Sequence, residues 1–280
     1  MRLGVHVSIA GKLYESLDRA EALGCQTMQI FSRNPRGWKL KGVSKKEVKE
    51  FKRRRRDAGI RPLIVHIPYH INLASPDEVL YKRSIRYYIE DIKYAGMLEA
   101  DYFVTHMGSH KGRGEEFGLK RLSEALNLII KRMNPELQIL LEITAGSGNR
   151  LGYKFEHLGY VINRIKNTKS LGICFDTAHA FEAGYDIRTK DGLDDTLKEI
   201  EANIGLDRLK LIHINDSKTS LKSRRDRHEN IGEGKIGLAA FKRIVNHPKL
   251  KDLPFILETP KMQFESDKNN LDIVRKLADG

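Results

Sequence analysis

The sequence predicts a single (β/α)8 TIM barrel domain spanning residues 1–280, an α/β fold, on three observations. Short apolar, β-branched runs recur along the chain, each followed by an amphipathic, charged stretch. Eight such units exhaust the 280 residues at about 35 each, and a closed eight-fold barrel typically needs about 250 residues. The first run leads into Val7-Ser8-Ile9-Ala10-Gly11, a poor version of the glycine-rich phosphate loop that an open doubly wound sheet would carry there.

Strands are expected at Leu3–Val7, Thr27–Phe31, Leu63–Ile67, Tyr102–Thr105, Ile139–Ile143, Leu171–Phe175, Leu209–Ile214 and Pro254–Leu257. Runs this apolar on both faces suit a parallel sheet covered by helices. Helices are expected between them, near 13–23, 44–58, 77–97, 115–133, 155–166, 191–203, 238–246 and 267–278. In the third of these, Val79, Ile85, Ile89 and Ile92 recur at helical spacing with charges on the opposite face. No low-complexity tract, Pro-rich linker or composition shift divides the chain, so one domain is expected.

Composition narrows the function classes. With 40% hydrophobic residues and 23 glycines, the chain has the make-up of a globular protein and not of a disordered one. No apolar run approaches the roughly 18 residues of a spanning helix. Met1-Arg2-Leu3-Gly4-Val5-His6 lacks the charged-then-apolar pattern of an export signal, and Cys25 and Cys174 are too few for a disulfide scaffold. A cytoplasmic protein is expected. Against 37 acidic residues stand 50 basic ones, a net charge of +13, which favours an anionic partner, nucleic acid before anionic membrane.

The chemistry is carried by what ends the apolar runs. In a parallel barrel, catalytic residues sit at the C-terminal ends of the strands. The third and fourth runs end in His66 and His106, the fifth in Glu142, the sixth in Asp176 with His179 just beyond, the seventh in His213 and the eighth in Glu258. The segment after the seventh run adds Asp226 and His228, which would point the same way in an extended chain. Asp176 and His179 are three apart, so the chain must curl after Asp176 for both to face one site. Taken singly, a histidine after an apolar run is usually a packed core residue. Nine imidazoles and carboxylates at one barrel end do not fit that reading, and they suit zinc, manganese or iron. Nine ligands are too many for one ion and generous for two; three ions fit.

Around these positions stand His106-Met107-Gly108-Ser109-His110, Leu141-Glu142-Ile143-Thr144-Ala145-Gly146, Phe175-Asp176-Thr177-Ala178-His179, His213-Ile214-Asn215-Asp216-Ser217-Lys218 and Arg225-Asp226-Arg227-His228-Glu229-Asn230. With Gly4-Val5-His6-Val7-Ser8 at one end and Leu257-Glu258-Thr259 at the other, they resemble the signatures of endonuclease IV over nearly the whole chain. That family comprises zinc-dependent apurinic/apyrimidinic endonucleases of base excision repair. The resemblance implies a deoxyribonuclease IV-type hydrolase with three Zn2+ per chain; whether one of them exchanges with Mn2+ is left open. By position, His66, His106 and Glu142 would hold the first ion, with Glu142 bridging to the second. Asp176, His213 and Glu258 would complete the second, and His179, Asp226 and His228 would hold the third. Glu142 and Glu258 are the expected catalytic carboxylates, Glu258 as ligand and general base. Cleavage is implied 5′ to an abasic site in duplex DNA, leaving a 3′-hydroxyl and a 5′-deoxyribose phosphate, together with repair of blocked 3′ ends by a monomeric enzyme.

The resemblance also marks DNA contacts. Arg36, in Ser32–Trp38, and Tyr69, in Pro68–Asn72, occupy the positions of side chains inserted where a base is missing, a wedge that offsets lost stacking. His70 stands where an apolar wedge is expected, and Ile143 follows the bridging glutamate where a polar residue is commoner. Lys218, Lys222, Arg224, Arg225 and Arg227, in a loop beside metal ligands, are expected to reach phosphates. The run Lys52-Arg53-Arg54-Arg55-Arg56 ends a helix on the barrel's outside and is read as a solvated face. His6 is left open between supporting the site and filling the core, and His110, His157 and His247 are read as structural or surface residues. A metal-dependent sugar isomerase or epimerase of the xylose isomerase-like barrel group would use Glu142, Asp176, His213 and Glu258. It leaves His66, His106, His179, Asp226 and His228 without a task.

Overall fold

The structure, a computed structural model, describes residues 1–35, 37, 38, 42–260 and 264–279. Eight parallel strands form the barrel: β1 (Arg2–Val5), β2 (Met28–Phe31), β3 (Leu63–His66), β4 (Tyr102–His106), β5 (Gln138–Glu142), β6 (Leu171–Asp176), β7 (Leu209–His213) and β10 (Pro254–Leu257). Their order is β1-β10-β7-β6-β5-β4-β3-β2. A parallel bridge between His6 and Gln29 brings β1 back to β2. Gly4 permits that closure, since a Cβ there would lie 1.8 Å from the Thr27 carbonyl oxygen.

The helices α1 (Glu15–Ala22), α2 (Lys45–Asp57), α3 (Glu78–Met97), α4 (Glu115–Ile130) and α5 (Phe155–Ile162) follow the first five strands. Two follow β6, α6 (Thr177–Ala183) and α7 (Lys190–Asn203), and α8 (Leu238–Asn246) and α9 (Phe264–Asp279) complete the outer layer. Side-chain caps fix several starts: Ser44 Oγ accepts from Glu47 N at 3.2 Å, and Asp77 Oδ1 from Leu80 N at 2.9 Å. A small antiparallel hairpin pairs β8 (Asp216–Ser217) with β9 (His228–Glu229). Neither α6 nor this hairpin is among the sequence-expected elements. Among the described residues, no helix is long and apolar enough to cross a membrane.

Side-chain alternation along the strands positions the site. Ile64, Val104, Leu140, Cys174, Leu211 and Ile256 form a buried apolar cluster of their own inside the barrel. Two residues further along, in step with the inward face, come His66, His106, Glu142, Asp176 and His213 on their strands and Glu258 just past the end of β10. One strand period therefore lifts the chain from a hydrocarbon floor to a polar mouth.

Candidate functional site

Glu142 is the centre of the mouth, fully buried, with two imidazoles against each carboxylate oxygen. His66 Nε2 and His106 Nε2 lie 3.2 and 3.0 Å from Oε2, while His213 Nδ1 and His179 Nδ1 lie 3.2 and 3.3 Å from Oε1. Three groups of donor atoms converge within 4.8 Å of one another: His66, His106 and Glu142; Glu142, Asp176, His213 and Glu258; and Asp176, His179 and His228. Asp226 stands beside the last group, its Oδ1 3.3 Å from His179 Nε2. Asp226 and His228 both border the mouth, on the side of His179. His228 turns inward and faces Asp176 at 3.6 Å, while Asp226, about a third exposed, also approaches Arg150 at 3.7 Å.

Backbone carbonyls and an amide set the ring orientations. A carbonyl oxygen only accepts, so His66 Nδ1–H donates to Ile67 O at 2.7 Å and His228 Nδ1–H to Glu258 O at 3.1 Å. That leaves both Nε2 lone pairs free to face the cavity. His213 is turned the other way. Its Nε2–H donates to Gln29 Oε1 at 2.8 Å, which aims Nδ1 at the carboxylates. Among the described residues, buried His228 Nε2 has no hydrogen-bond partner, as suits an imidazole nitrogen built to hold an ion.

The curl expected after Asp176 is the first turn of α6. Asp176 caps that helix, Oδ1 accepting from His179 N at 2.8 Å, and the turn swings His179 to the same side as Asp176. Asn215 Nδ2 donates to Asp176 Oδ2 at 2.7 Å, and its Oδ1 accepts from Glu258 N at 2.7 Å. Gln29 Nε2 donates to Glu258 Oε1, and His6 Nδ1 lies 3.2 Å from the same oxygen. His6 thus supports the site. The sequence by itself assigns Gln29 and Asn215 no role, although a glutamine inside the apolar run Met28–Phe31 is a readable signal.

Burial by itself would push the Glu142 carboxyl up; His106, His213 and His179 outweigh it and hold Glu142 well below the usual range. Glu258 is held down against its own burial by His213, His6 and His66. His179 and His213 are buried too, which lowers an imidazole, yet the acids around them raise both well above 6.5. For His179 those acids are Asp176, Asp226 and Glu142. The acids that raise these rings also attract divalent cations, which compete with protons for the same lone pairs. Buried imidazole nitrogens and carboxylate oxygens in groups of three and four fit ions of the zinc class.

The mouth encloses about 470 Å³ with one apolar wall that includes Val7, Ile9 and Phe31. Tyr69, 64% exposed, leans edge-on against Phe31 at 5.4 Å and borders both this cavity and a second basin of about 770 Å³. Lys218, Arg224, Arg225 and Arg227 line that basin, tertiary structure adds Arg150, and Lys222 is not among the lining residues. Arg36 lies outside the described residues. His70 is no exposed wedge: its ring packs 4.0 Å from Trp38, which also meets the Tyr87 ring at 5.0 Å and the Arg83 guanidinium at 3.8 Å. Buried Arg33 anchors this loop by pairing with Asp91 at 2.7 Å and donating to Trp38 O. Ile143, the other departure, is fully buried, and its carbonyl accepts from His179 Nδ1–H at 3.0 Å.

Other sequence features lie apart. His157 Nδ1 accepts from Gly152 N and His110 Nδ1 from Gly114 N, both as loop supports. In the basic run, Lys52 pairs with Glu99, Arg53 with Glu50 and Asp57, and Arg54 with Glu50 and Asp18, while Arg55 donates to Glu99 O.

A family model described as xylose isomerase-like TIM barrel matches residues 17–279. A protein of Halothermothrix orenii named probable endonuclease 4 is 47% identical over 277 residues, covering 99% of each chain. The crystal structure of endonuclease IV from Thermus thermophilus superposes with a TM-score of 0.88 at 37% identity, covering 100% of this chain and 99% of that one. A D-tagatose 3-epimerase-like protein, at a TM-score of 0.76 and 22% identity over 100% and 97% of the two chains, shares the fold alone. With such identity along its whole length, the chain belongs to the endonuclease 4 family of xylose isomerase-like TIM barrels.

Proposed function

We propose that this protein is an apurinic/apyrimidinic endonuclease that hydrolyses the phosphodiester 5′ to an abasic site in duplex DNA, using three zinc ions. One observation carries the reading: nine imidazole and carboxylate side chains gather at a single barrel mouth that opens beside a basin of four arginines and a lysine. His66 and His106 would hold one ion, Asp176, His213 and Glu258 a second, and His179, Asp226 and His228 a third, with Glu142 between the first two. Bound zinc supplies Lewis-acid charge for the phosphoryl oxygens and lowers the pKa of water towards 7.

The chain's own groups do the rest. Lys218, Arg225 and Arg227, with Arg150 and Arg224, hold flanking phosphates. Tyr69 fills the gap left by the missing base, and the apolar wall beside it receives the bare sugar. Glu258, ionised and steered by Gln29 and Asn215, takes the proton of the attacking water. The same arrangement supports removal of blocking groups from 3′ ends. The sugar epimerase reading is not favoured, because it leaves five of the nine converging residues idle.

The test is a nicking assay on a duplex with one tetrahydrofuran abasic analogue, with product ends mapped. Zinc-loaded protein is expected to cut immediately 5′ to the analogue, to leave a 3′-hydroxyl and to spare the intact duplex. No nicking after zinc reconstitution, alongside ketose formation from an aldose, would sink the proposal. Elemental analysis returning one metal per chain would refute the three-ion assignment.

A further inference from the structure

Glu182 is fully buried on α6, outside the donor groups described above, and its carboxylate is put to an unusual use. Three donors converge on Oε1: Ser217 Oγ–H at 2.7 Å, Thr219 Oγ1–H at 3.1 Å and Arg227 N–H at 3.2 Å. Ser217 ends β8 and Thr219 lies on the outgoing arm of the loop to β9, with Arg227 on the returning arm. One oxygen therefore staples the base of the loop, next to the Lys218 N–H to Arg227 O bond at 2.9 Å.

The same helix grips the loop tip. An α-helix leaves its last carbonyls without intrahelical donors. Here Phe181 O accepts from Lys222 N at 3.1 Å and Glu182 O from Arg224 N at 3.0 Å. Lys222 and Arg224 adopt φ values of 63° and 57°, a conformation that non-glycine residues hold only where surroundings impose it. The loop is thus pressed into shape by α6. Asp176 and His179 stand at one end of that helix, and the loop delivers Asp226 and His228.

We infer that Glu182 is a positioning residue: it fixes Asp226 and His228 of the loop against Asp176 and His179 of α6, and so assembles the third ion's site. The inference rests on the three-ion reading proposed above. Loss of a group that orients metal ligands typically costs about 10- to 100-fold in metal affinity. Glu182→Ala removes the acceptor. Glu182→Gln keeps an oxygen for all three donors and sets its amide nitrogen where Oε2 has no hydrogen-bond partner among the described residues.

Zinc titration of the metal-stripped full chain against a chromophoric chelator, with elemental analysis after gel filtration, reads the effect. Wild type and Glu182→Gln are expected to bind three ions alike. In Glu182→Ala the weakest-held ion should lose about 10- to 100-fold in affinity while the other two stay within about twofold. Unchanged affinity for all three, or joint loss of all three, overturns the inference. A second arm uses no metal. Trypsin should cut after Lys222, Arg224 and Arg225 of the metal-stripped protein faster in Glu182→Ala than in wild type or Glu182→Gln, and equal rates overturn the inference. If Glu182→Ala does not melt cooperatively, Ser217→Ala combined with Thr219→Val removes two of the three donors and should give the same pattern. Uptake of fewer than three ions by wild type would sink the three-ion reading, and the trypsin arm would then decide the role of Glu182 alone.

Discussion

The layer formed by Ile64, Val104, Leu140, Cys174, Leu211 and Ile256 closes the barrel with apolar side chains, whereas the layer two residues later on the same strands is wholly polar. Strand, direction and inward face are shared; only the height differs. The lower layer gives the upper one a rigid, water-excluding floor, so that charges above it act at low effective dielectric. A second contrast concerns cations. The eye-catching run on α2 is spent on ion pairs with Glu50, Asp57, Asp18 and Glu99, while the scattered cations of the basin surround an open cavity. Local density of charge is a poor guide to where an anion is bound; convergence around a concave surface is the better one.

The largest expected effect lies in the polar layer. Glu258→Gln should lower the nicking rate by about 10²- to 10⁴-fold, the usual contribution of a general base. Its binding to uncleaved abasic duplex should remain measurable, and a wild-type rate would remove Glu258 from catalysis. In the floor, Leu140→Ala should cost about 2–5 kcal/mol of stability by urea denaturation, through lost burial and the cavity left behind. The zinc-loaded folded fraction should still nick within about twofold of wild type. A much slower variant at unchanged stability would erase the division of labour between the layers.

The mouth should also reveal itself through pH. In metal-stripped protein, His179 and His213 have folded pKa values raised above 6.5, so the stability they contribute is complete below that value and is lost as pH rises through the folded ones. Glu142 and Glu258, held below 4.5, contribute stability above that pH which is lost on acidification. The melting temperature of metal-stripped protein should therefore fall as pH is raised from about 6.5 towards 9, and zinc, by displacing those protons, should flatten the fall. The same alkaline fall with and without zinc would mean that these imidazoles do not bind it. The smallest effect separates the two sets of cations. Arg225→Ala should reduce the salt dependence of DNA binding by about one phosphate contact. Arg53→Ala should leave it unchanged, its guanidinium being engaged by Glu50 and Asp57. Equal slopes for both variants would dissolve that contrast.

Much of this was legible beforehand because barrel periodicity is local. An apolar run marks a strand, its last residue marks the mouth, and a step of two fixes the face; His66, His106, Glu142, His213 and Glu258 follow from that rule. What escaped was set by contacts remote in sequence. Gln29 matters because barrel closure seats it against His213 and Glu258, 184 and 229 residues away. Arg150 joins the basin only because its loop meets Asp226 across the mouth. A seven-residue helix such as α6 is too short for a convincing apolar period, and its start depends on the Asp176 cap.

The sequence by itself determined the strands, the helices packed outside them and the residue types at the barrel mouth, because hydrophobic period and strand-end chemistry are properties of neighbouring residues. Only tertiary structure decided which imidazole nitrogen faces the cavity, why Asp226 sits on the lip while His228 turns in, and which arginines line an open basin. Those outcomes depend on hydrogen-bond partners and burial supplied by other strands, and a group's electrostatic role is set by what surrounds it in space.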